Sequence, residues 1–316
     1  MAAVANAFTI LGFLSRCAFD ARNLELCFDV CTSVSQIKTQ LSTVWICFLT
    51  VLALNAWRLL ELETHDAFMN MAIDEAIMSA RIEGLNSDTL RFFRWRPSAV
   101  SIGKFQKVEN EAQLENCLEE GIDIVRRITG GGTVYHDAED EITYSVIANR
   151  ESLKANDIAD VYTRIYTGLT EALRLLGVAA DFNEGSAKTC PNLTVKGKKI
   201  SGSAQCHKRG VVLQHGTILA KVNLKRMFTY LRVPWAKSCM QVANVARNKI
   251  TSLHDELQKN VSTAELNHAL IQGFQRGLDI KLVDGGLSSH ELELAEGLCR
   301  QKYGTDEWNL RGGSDE

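Results

Sequence analysis

The spacing of apolar residues predicts alternating strands and helices from residue 57 onward. Residues 57–63 and 90–95 alternate apolar and polar side chains, as half-buried strands do. Residues 68–84 place apolar side chains at helical spacing, with Thr64 and Asp66 as candidate N-caps. The other predicted strands are 99–102, 122–127, 133–135, 142–148, 195–200 and 211–219. The other predicted helices are 110–120, 157–176, 224–230, 262–278 and 289–303.

The order of these elements favours an α+β fold. Strands and helices alternate irregularly, and hairpins interrupt them, so a mixed β-sheet flanked by helices fits better than a doubly wound parallel sheet. We expect 133–135 and 142–148 to pair as the two arms of one hairpin. Gly197 is placed to form the turn of a second hairpin across 195–200.

The first 56 residues differ in composition from the rest. They carry six charged side chains, whereas the remaining 260 residues carry 67. The apolar run Val44–Leu54 has eleven residues, which is short of the roughly 20 that a membrane-spanning helix needs. Met1–Leu14 lacks the basic start of a secretory signal. We therefore expect a charge-poor extension over residues 1–55 rather than a membrane anchor.

Composition narrows the class of protein further. The 35 basic and 38 acidic residues give a net charge of −3, which argues against a strongly basic nucleic-acid binder. A hydrophobic fraction of 46% indicates a folded chain rather than a disordered one. Nine cysteines without a CxxC pair do not suggest a zinc ribbon or a disulfide framework. We infer a reducing, cytoplasmic location.

Residues 126–137 read RRITGGGTVYHD and are the most unusual local pattern. Three consecutive glycines between two strands let the backbone approach a ligand closely, and exposed amide groups can cradle an anion. Arg126 and Arg127 stand beside them and are candidates for charge-assisted bonds to phosphate or carboxylate. A glycine-rich turn with two solvated arginines is the plainer interpretation. The pattern is neither a P-loop nor a dinucleotide fingerprint.

Two further stretches carry candidate chemistry. In KGKKISGSAQ, Lys199 precedes a run of small residues and is placed to pair with a bound anion. A solvated basic hairpin is the alternative. In LQHGTIL, His215 lies within an apolar strand, where a histidine is usually a buried structural residue with satisfied hydrogen bonds.

Taken together, these motifs resemble the lipoate–protein ligase A and octanoyltransferase family, relatives of the biotin protein ligases. The matching pieces are NMAIDE from Asn70, RPSAVSIG from Arg96, RRITGGGTVYHD, GKKISGSAQ and LQHGTIL. They occur in the family's order and, with the ending KYGTDEWN, cover about residues 57–310. The resemblance implies a fold like that of the class II aminoacyl-tRNA synthetases. It divides the chain into the extension, a lipoate ligase-like catalytic domain over 56–280 and a short helical segment over 281–316.

The resemblance also implies a two-step ligase reaction. Lipoate or octanoate reacts with ATP and Mg²⁺ to give the acyl-adenylate, and the acyl group then moves to a lysine of an acceptor domain. Lys199 matches the catalytic family lysine. The implied nucleotide-binding residues are Arg127, Gly132, Thr133, Val134, Tyr135 and Lys199. The implied lipoate-binding residues are Lys199, Arg127, Gly131 and His136.

One branch of the family suggests a different mechanism. Its members move octanoate from acyl carrier protein through a cysteine thioester and use neither ATP nor a metal. Cys190 lies in the region where that branch carries its nucleophile, and nearby Lys188, Lys196 or Lys199 would favour its thiolate. The branch usually has a longer stretch between cysteine and lysine and an arginine in place of the third loop glycine, whereas this chain keeps Gly132. An aspartate that ligases carry before the lysine hairpin is missing, so the sequence leaves the metal ligands unassigned. We expect the ATP-dependent ligase, with the Cys190 transferase and a non-catalytic lipoyl-binding or regulatory protein as alternatives.

The resemblance implies lipoyl acceptor domains as partners, either the E2 subunit of 2-oxoacid dehydrogenases or the H protein of glycine cleavage. A separate accessory chain is a further candidate partner, because larger ligases carry an additional C-terminal domain. Nucleic acid and membrane are not expected partners. Lys196, Lys198, Lys208 and Arg209 are candidate docking charges for an acidic acceptor, or simply a solvated face.

Overall fold

The structure is a computed structural model that describes residues 56–186 and 190–312. Its strands are β1 Ala56–His65, β2 Thr89–Trp95, β3 Ala99–Ile102, β4 Asp123–Arg126, β5 Val134–His136, β6 Glu141–Asn149, β7 Asp181–Asn183, β8 Asn192–Val195, β9 Lys198–Lys208, β10 Val211–Leu219 and β11 Lys281–Gly285. Its helices are α1 Ala67–Ile82, α2 Val108–Glu111, α3 Leu114–Glu119, α4 Ile158–Leu175, α5 Leu224–Tyr230, α6 Cys239–Ala246, α7 Leu253–Leu257, α8 Thr263–Leu278, α9 Ser289–Leu298 and α10 Asp306–Asn309. A π-helical turn, Cys299–Tyr303, follows α9.

Two sheets organise the described residues. The large sheet has the order β11-β1-β2-β6-β10-β9-β8-β7, and the small sheet has the order β4-β3-β5. In the large sheet β1 pairs in parallel with β11 and β2, and the other neighbours are antiparallel. In the small sheet β3 is parallel to β4 and antiparallel to β5. The predicted mixed sheet is therefore confirmed.

Helices cover both faces of the large sheet. Helices α4 and α8 pack on one face, where Phe274, Leu169 and Tyr166 join a core with side chains from β2, β6 and β10. Helix α1 packs on the other face with α9, and the core there also takes in Ala99 and Val125 from the small sheet. Because α1 contacts both sheets, it holds the small sheet against the large one.

The helix starts follow the sequence signals. Asp66 caps α1 by accepting a hydrogen bond from the Met69 amide at 2.7 Å. Asp157 caps α4 and Ser262 caps α8 in the same way. Thr64, the other candidate cap of α1, is instead part of β1. Lys196 and Gly197, both with positive φ, form the predicted hairpin turn between β8 and β9.

Two local predictions were wrong, and the strand β11 was missed. The predicted helix 110–120 breaks at Ala112, which is extended and bridges Leu231. The predicted hairpin of 133–135 with 142–148 does not form, because β5 pairs with β3 in the small sheet and β6 pairs with β2 and β10 in the large one. The helix predicted over 289–303 is matched by α9 and the π-helical turn, whereas the strand β11, which precedes it and pairs with β1, was not predicted. The domain boundaries at 55 and 280 stay predictions.

Some predictions concern residues that the structure does not describe. These are the extension 1–55 with its apolar run, and Lys188 beside Cys190. Within 56–186 and 190–312, none of the helices has both the length and the apolar character needed to span a bilayer.

Candidate active site

A cavity of about 110 Å³ opens where the small sheet meets strands β9 and β10 of the large sheet. The glycine loop, residues 127–133 between β4 and β5, forms one wall. The lining residues are Met71, Trp95, Ser101, Arg127, Gly131, Gly132, Thr133, Val134, His136, Thr143, Cys190, Pro191, Lys199, Gly202, Ser203, Ala204, His215, Gly216 and Thr217. The cavity thus combines the three stretches that the sequence singled out, and they come together because their strands are neighbours.

Most of the predicted site residues line this cavity. The exception is Tyr135, which faces the other side of β5, is buried, and stacks on Tyr230 with ring centroids 5.2 Å apart. The remaining predicted residues, Arg127, Gly131, Gly132, Thr133, Val134, His136, Cys190 and Lys199, all line it. Their individual roles in binding nucleotide or lipoate stay predictions.

Lys199 lies at the start of β9, where its backbone bonds to Lys249 and Thr251 rather than to β10. Its side chain is open to solvent at the mouth of the cavity, yet the surrounding protein atoms lower the pKa of its amine from the ordinary value. A negative charge on Cys190 opposes this shift, and the positive charge of Arg127 adds to it. Lys199 is therefore an amine that gives up its proton more readily than an ordinary lysine.

Cys190 is exposed and lines the cavity just before β8. Its Sγ lies 3.8 Å from the position that a β-carbon on Gly131 would occupy. Of the lysines suggested as its electrostatic partner, Lys196 instead pairs with Glu256 at 3.1 Å. Lys199 is the one that shares the cavity with Cys190.

The two arginines of the glycine loop are both buried and bind protein groups. The Arg127 guanidinium donates to Thr129 Oγ1, to the backbone oxygen and Oγ of Ser101, and to the carbonyl oxygens of Gly130 and Gly132 at 2.8–3.2 Å. These bonds use all five of its N–H groups. Burial lowers the pKa of Arg127 to about 10. Its hydrogen bonds therefore hold the glycine loop in place.

Arg126 points away from the cavity. Its guanidinium donates to the carbonyl oxygens of Gly103, Lys104, Gln106, Trp308 and Asn309. It therefore ties residues 103–106 to the C-terminal helix α10. The sequence-based expectation that Arg126 reaches a bound anion was wrong, because backbone carbonyls take up its donors.

Two buried histidine–carboxylate pairs lie behind the glycine loop. His215 Nδ1 lies 2.9 Å from Asp74 Oδ2, and His215 Nε2 lies 2.7 Å from Thr129 Oγ1. His136 Nδ1 lies 2.6 Å from Glu141 Oε1, and His136 Nε2 lies 2.7 Å from Ser101 Oγ. The His215 ring is buried with both nitrogens bonded, as the sequence suggested for that position.

Sequence reasoning assigned no role to four members of this group. Asp74, Ser101, Thr129 and Glu141 are buried polar residues with specific partners. Asp74 carried the clearest signal, because it is a charged residue on a helix face whose neighbours Met71, Ile73, Ile77 and Met78 are buried. Burial alone would raise the pKa of Asp74. Hydrogen bonds and charges from His215 and Arg91 nevertheless hold this pKa below its ordinary value.

The donor set of the cavity bears on the implied Mg²⁺. None of the described lining residues is a carboxylate, and the nearby Asp74 and Glu141 are bonded to histidines and hydroxyls. Across 56–186 and 190–312, no group of three histidine, cysteine, aspartate or glutamate side chains is placed to hold a metal. Mg²⁺ prefers carboxylate and water oxygens, so the described lining of the cavity does not fit it.

Comparison with known proteins assigns this site to a family. A model of the lipoyl protein ligase A/B catalytic domain matches residues 66–275, which include every residue lining the cavity. The chain belongs to this family. The predicted family membership is thereby confirmed, and the chain is an enzyme of the lipoate ligase and octanoyltransferase type.

Relatives and solved structures agree with this assignment. The chain is 36% identical to octanoyltransferase LipM of Brevibacillus brevis, over 81% of this chain and 99% of that one. It is 37% identical to octanoyltransferase LipM of Symbiobacterium thermophilum, over 81% and 98%. Among solved structures, a bi-partite lipoate protein ligase from Thermoplasma acidophilum superposes with a TM-score of 0.72 at 31% identity, over 83% of this chain and 98% of that one. A lipoate-protein ligase A bound with ATP gives 0.69 at 30%, over 81% and 98%. The predicted ligase-like fold is confirmed.

Proposed function

We propose that this enzyme transfers an octanoyl group from the thioester of an acyl carrier protein to a lysine of a lipoyl acceptor domain, through a thioester on Cys190. The observation that carries the proposal is that Cys190 and Lys199 line one cavity, beside the glycine loop. The names of the relatives, octanoyltransferase LipM at 32–37% identity, support it. The cysteine transferase, which the sequence left as an alternative, thus replaces the ATP-dependent ligase as the favoured mechanism.

The first half of the reaction forms the acyl-enzyme. Lys199, whose pKa is lowered by burial, takes the proton of the Cys190 thiol from its neutral form. The thiolate attacks the carbonyl carbon of the octanoyl thioester, so a new C–S bond forms at Cys190 and the bond to the carrier thiol breaks. The departing sulfur takes the proton from Lys199. No electron donor or acceptor is needed.

In the second half of the reaction, the Cys190 sulfur becomes the leaving group. The neutral amine of the acceptor lysine attacks the carbonyl carbon of octanoyl-Cys190, a C–N bond forms, and the Cys190 thiolate leaves. The amide nitrogen loses its proton to Lys199 or to the departing thiolate. Arg127 and the ammonium form of Lys199 stabilise the negative charge that develops on sulfur and oxygen during both halves.

The backbone amides of the glycine loop are our candidates for binding the developing oxyanion. Because C=O and N–H point in opposite directions across a trans peptide, the carbonyls of Gly130 and Gly132 that face Arg127 leave the amides of Gly131 and Thr133 facing away from it. Backbone amides aimed at an oxygen that gains charge are a common source of catalysis.

The lining residues suit an acyl chain better than a metal-bound triphosphate. Met71, Trp95, Val134 and Ala204 supply apolar surface, and Arg127 and Lys199 supply charge at one end. The ATP-dependent ligase stays a prediction that the same experiment tests. The proposal includes E2 or H protein as the acceptor domain. It also includes a cytoplasmic location, which keeps Cys190 reduced, and a separate accessory chain. Each of these can be tested.

The decisive experiment compares Cys190→Ser with Cys239→Ser, a cysteine outside the cavity. Purified enzyme is mixed with octanoyl-acyl carrier protein and an acceptor domain, with and without ATP. We expect the wild type and Cys239→Ser to octanoylate the acceptor without ATP and to show an octanoyl adduct on Cys190 by mass spectrometry. Cys190→Ser should be inactive. An active Cys190→Ser enzyme that requires ATP and free lipoate would show that the ligase mechanism is correct instead.

A further inference from the structure

We propose that the two buried histidine–carboxylate pairs, Asp74–His215 and Glu141–His136, are positioning devices: each fixes one hydroxyl group, and the two hydroxyls hold Arg127 and with it the glycine loop. This inference rests on the cavity being the acyl-transfer site proposed above. Asp74, Thr129 and Glu141 do not belong to the described lining of the cavity, whereas Ser101, His136 and His215 do, and together these residues shape its wall.

The first relay runs from Asp74 to Arg127. The Asp74 carboxylate can only accept, so His215 donates through Nδ1. Burial lowers the pKa of His215, although Asp74 opposes the shift. In the neutral tautomer that donates from Nδ1, the free lone pair of Nε2 accepts from the Thr129 hydroxyl. The Thr129 hydroxyl oxygen then accepts a hydrogen bond from Arg127 Nε at 3.2 Å.

The second relay repeats this order of groups. Glu141 accepts from His136 Nδ1, and His136 Nε2 faces the Ser101 hydroxyl. The Ser101 oxygen in turn accepts from Arg127 Nη1 at 2.9 Å. The His136 ring stacks on Trp95, with ring centroids 4.0 Å apart, and this contact fixes the orientation of the imidazole. Trp95 Nε1 donates to the Thr143 hydroxyl, and this hydroxyl donates to Glu141.

The two relays meet on one guanidinium. Arg127 is buried, and its described partners are all neutral hydroxyl or carbonyl oxygens. Each relay ends on a buried carboxylate, and Asp74 is in addition paired directly with Arg91 at 2.8 Å. The carboxylates therefore fix the histidine rings and hydroxyls around Arg127 rather than forming ion pairs with it. The remaining N–H groups of Arg127 Nη2 hold the Gly130 and Gly132 carbonyls, so the orientation of Arg127 sets the shape of the glycine loop.

Thr129 is the cleanest place to test the relays. It is buried and does not belong to the described lining of the cavity, so its hydroxyl acts on the cavity through its two partners, Arg127 and His215. Thr129→Val removes the hydroxyl at nearly constant shape, and Thr129→Ser keeps it. Thr89→Val is a matched control, because Thr89 is also buried and also accepts from an arginine Nε, that of Arg58 at 3.1 Å, away from the cavity.

Two rates are measured for each variant after far-UV circular dichroism and thermal melting establish that it is folded. One is the octanoyl transfer rate, and the other is the rate at which iodoacetamide alkylates Cys190, followed by peptide mass spectrometry. We expect Thr129→Val to lower kcat roughly tenfold or more with KM changed by less than about threefold, and to slow Cys190 alkylation. Thr129→Ser should stay near the wild type, and Thr89→Val should lower the melting temperature without changing either rate.

A second pair of variants tests the histidine itself. His215→Gln offers an amide oxygen that can accept the Thr129 hydroxyl, whereas His215→Leu cannot, so Gln should retain more activity. Equal losses in Gln and Leu, unchanged rates in Thr129→Val, or a loss in Thr89→Val as large as in Thr129→Val would each overturn the proposal. If the wild type moves no octanoate, the proposed function fails, but the alkylation rates still test the relays.

Discussion

Gly202 on strand β9 makes room for the end of the Lys199 side chain. A β-carbon at residue 202 would lie 2.5 Å from both Cε and Nζ of Lys199. The contact is to the flexible end of a side chain rather than to backbone, so a substitution moves the amine and leaves the strand in place. The small residue after the lysine hairpin therefore has a defined task, which is to let the Lys199 amine lie against the cavity wall.

The first prediction follows from this contact. Gly202→Ala should displace the Lys199 amine and slow acyl transfer by roughly tenfold or more, while the free energy of unfolding changes by less than about 1 kcal/mol. Gly297→Ala on helix α9 is the control, because nothing lies within 4 Å of its added β-carbon. Wild-type transfer rates in Gly202→Ala would mean that the position of the amine does not limit the reaction.

The second prediction concerns Tyr135, which the sequence placed among the nucleotide-binding residues. Tyr135 packs against Tyr230, and its hydroxyl donates to Asp137 at 3.3 Å, away from the cavity. Tyr135→Phe should therefore leave acyl transfer within about twofold of the wild type, whereas Tyr135→Ala should cost about 3–5 kcal/mol of stability. Steady-state kinetics and urea unfolding separate the two. A tenfold slower Tyr135→Phe enzyme would place the hydroxyl in contact with a substrate.

The third prediction concerns Arg126. Lysine keeps the charge but cannot reproduce a planar fork that binds five carbonyl oxygens. Arg126→Lys should therefore lower the free energy of unfolding by about 2–4 kcal/mol. It should also slow acyl transfer, because Gln106, in the segment that Arg126 holds, accepts a bond from Thr133 of the glycine loop at 3.0 Å.

Arg311→Lys is the control for this change, since the partner of the Arg311 guanidinium within the described part of the chain is the exposed Glu307. Urea unfolding gives the stability, and limited proteolysis reports whether the C-terminal residues are released. An Arg126→Lys protein that is as stable as the wild type would show that these carbonyls do not depend on the guanidinium.

These predictions show where sequence patterns are sufficient and where they are not. The cavity residues could be found because the glycine loop and the lysine hairpin each carry an unusual local composition. The placement of β5 and β6 in different sheets could not be predicted from the sequence. The three residues of β5 are too few for their alternation of apolar and polar side chains to indicate a partner strand. The break at Ala112 depends on Leu231, a contact distant in sequence. Arg126 and Arg127 are adjacent and chemically identical in the sequence. Their roles differ because their guanidinium groups bind different oxygen atoms in the fold.

The fourth prediction is a pH dependence of stability that comes from Glu291. Burial would raise its pKa, but hydrogen bonds from Arg58, the Ser288 amide and Asn86 lower it to about 2. A carboxylate with a depressed folded pKa stabilises the fold above its unfolded pKa, and this contribution is lost as the pH falls from about 4.5 toward about 2. Near neutral pH it amounts to about 2–3 kcal/mol.

Glu291→Gln should therefore be less stable than the wild type near neutral pH, and the difference should shrink as the pH drops below the ordinary carboxylate pKa. Urea unfolding at several pH values measures it. Glu307→Gln, at an exposed pair, should show no such difference. Acyl transfer should be unaffected by either change, because neither residue lines the cavity. A stability gap that is independent of pH would assign the effect to shape rather than charge.

The last prediction distinguishes the glycines of the loop, which the sequence presents as equivalent. Gly131 has φ +88°, a left-handed conformation, and its added β-carbon would stand at ordinary contact distance from Ala204, Arg127 and Cys190. The cost of Gly131→Ala therefore lies in the backbone, about 1–2 kcal/mol. Relaxing φ would pull the Gly130 and Gly132 carbonyls away from Arg127.

Gly130 has no such constraint, since its φ is ordinary and nothing lies within 4 Å of an added β-carbon. We expect Gly131→Ala to lower both stability and acyl transfer, the latter by roughly tenfold or more, and Gly130→Ala to change stability little. Urea unfolding and transfer kinetics on the two variants measure this. Equal losses in both would mean that the loop is held by its chain conformation as a whole, whereas a loss confined to Gly131→Ala would locate the constraint where Arg127, Cys190 and the loop meet.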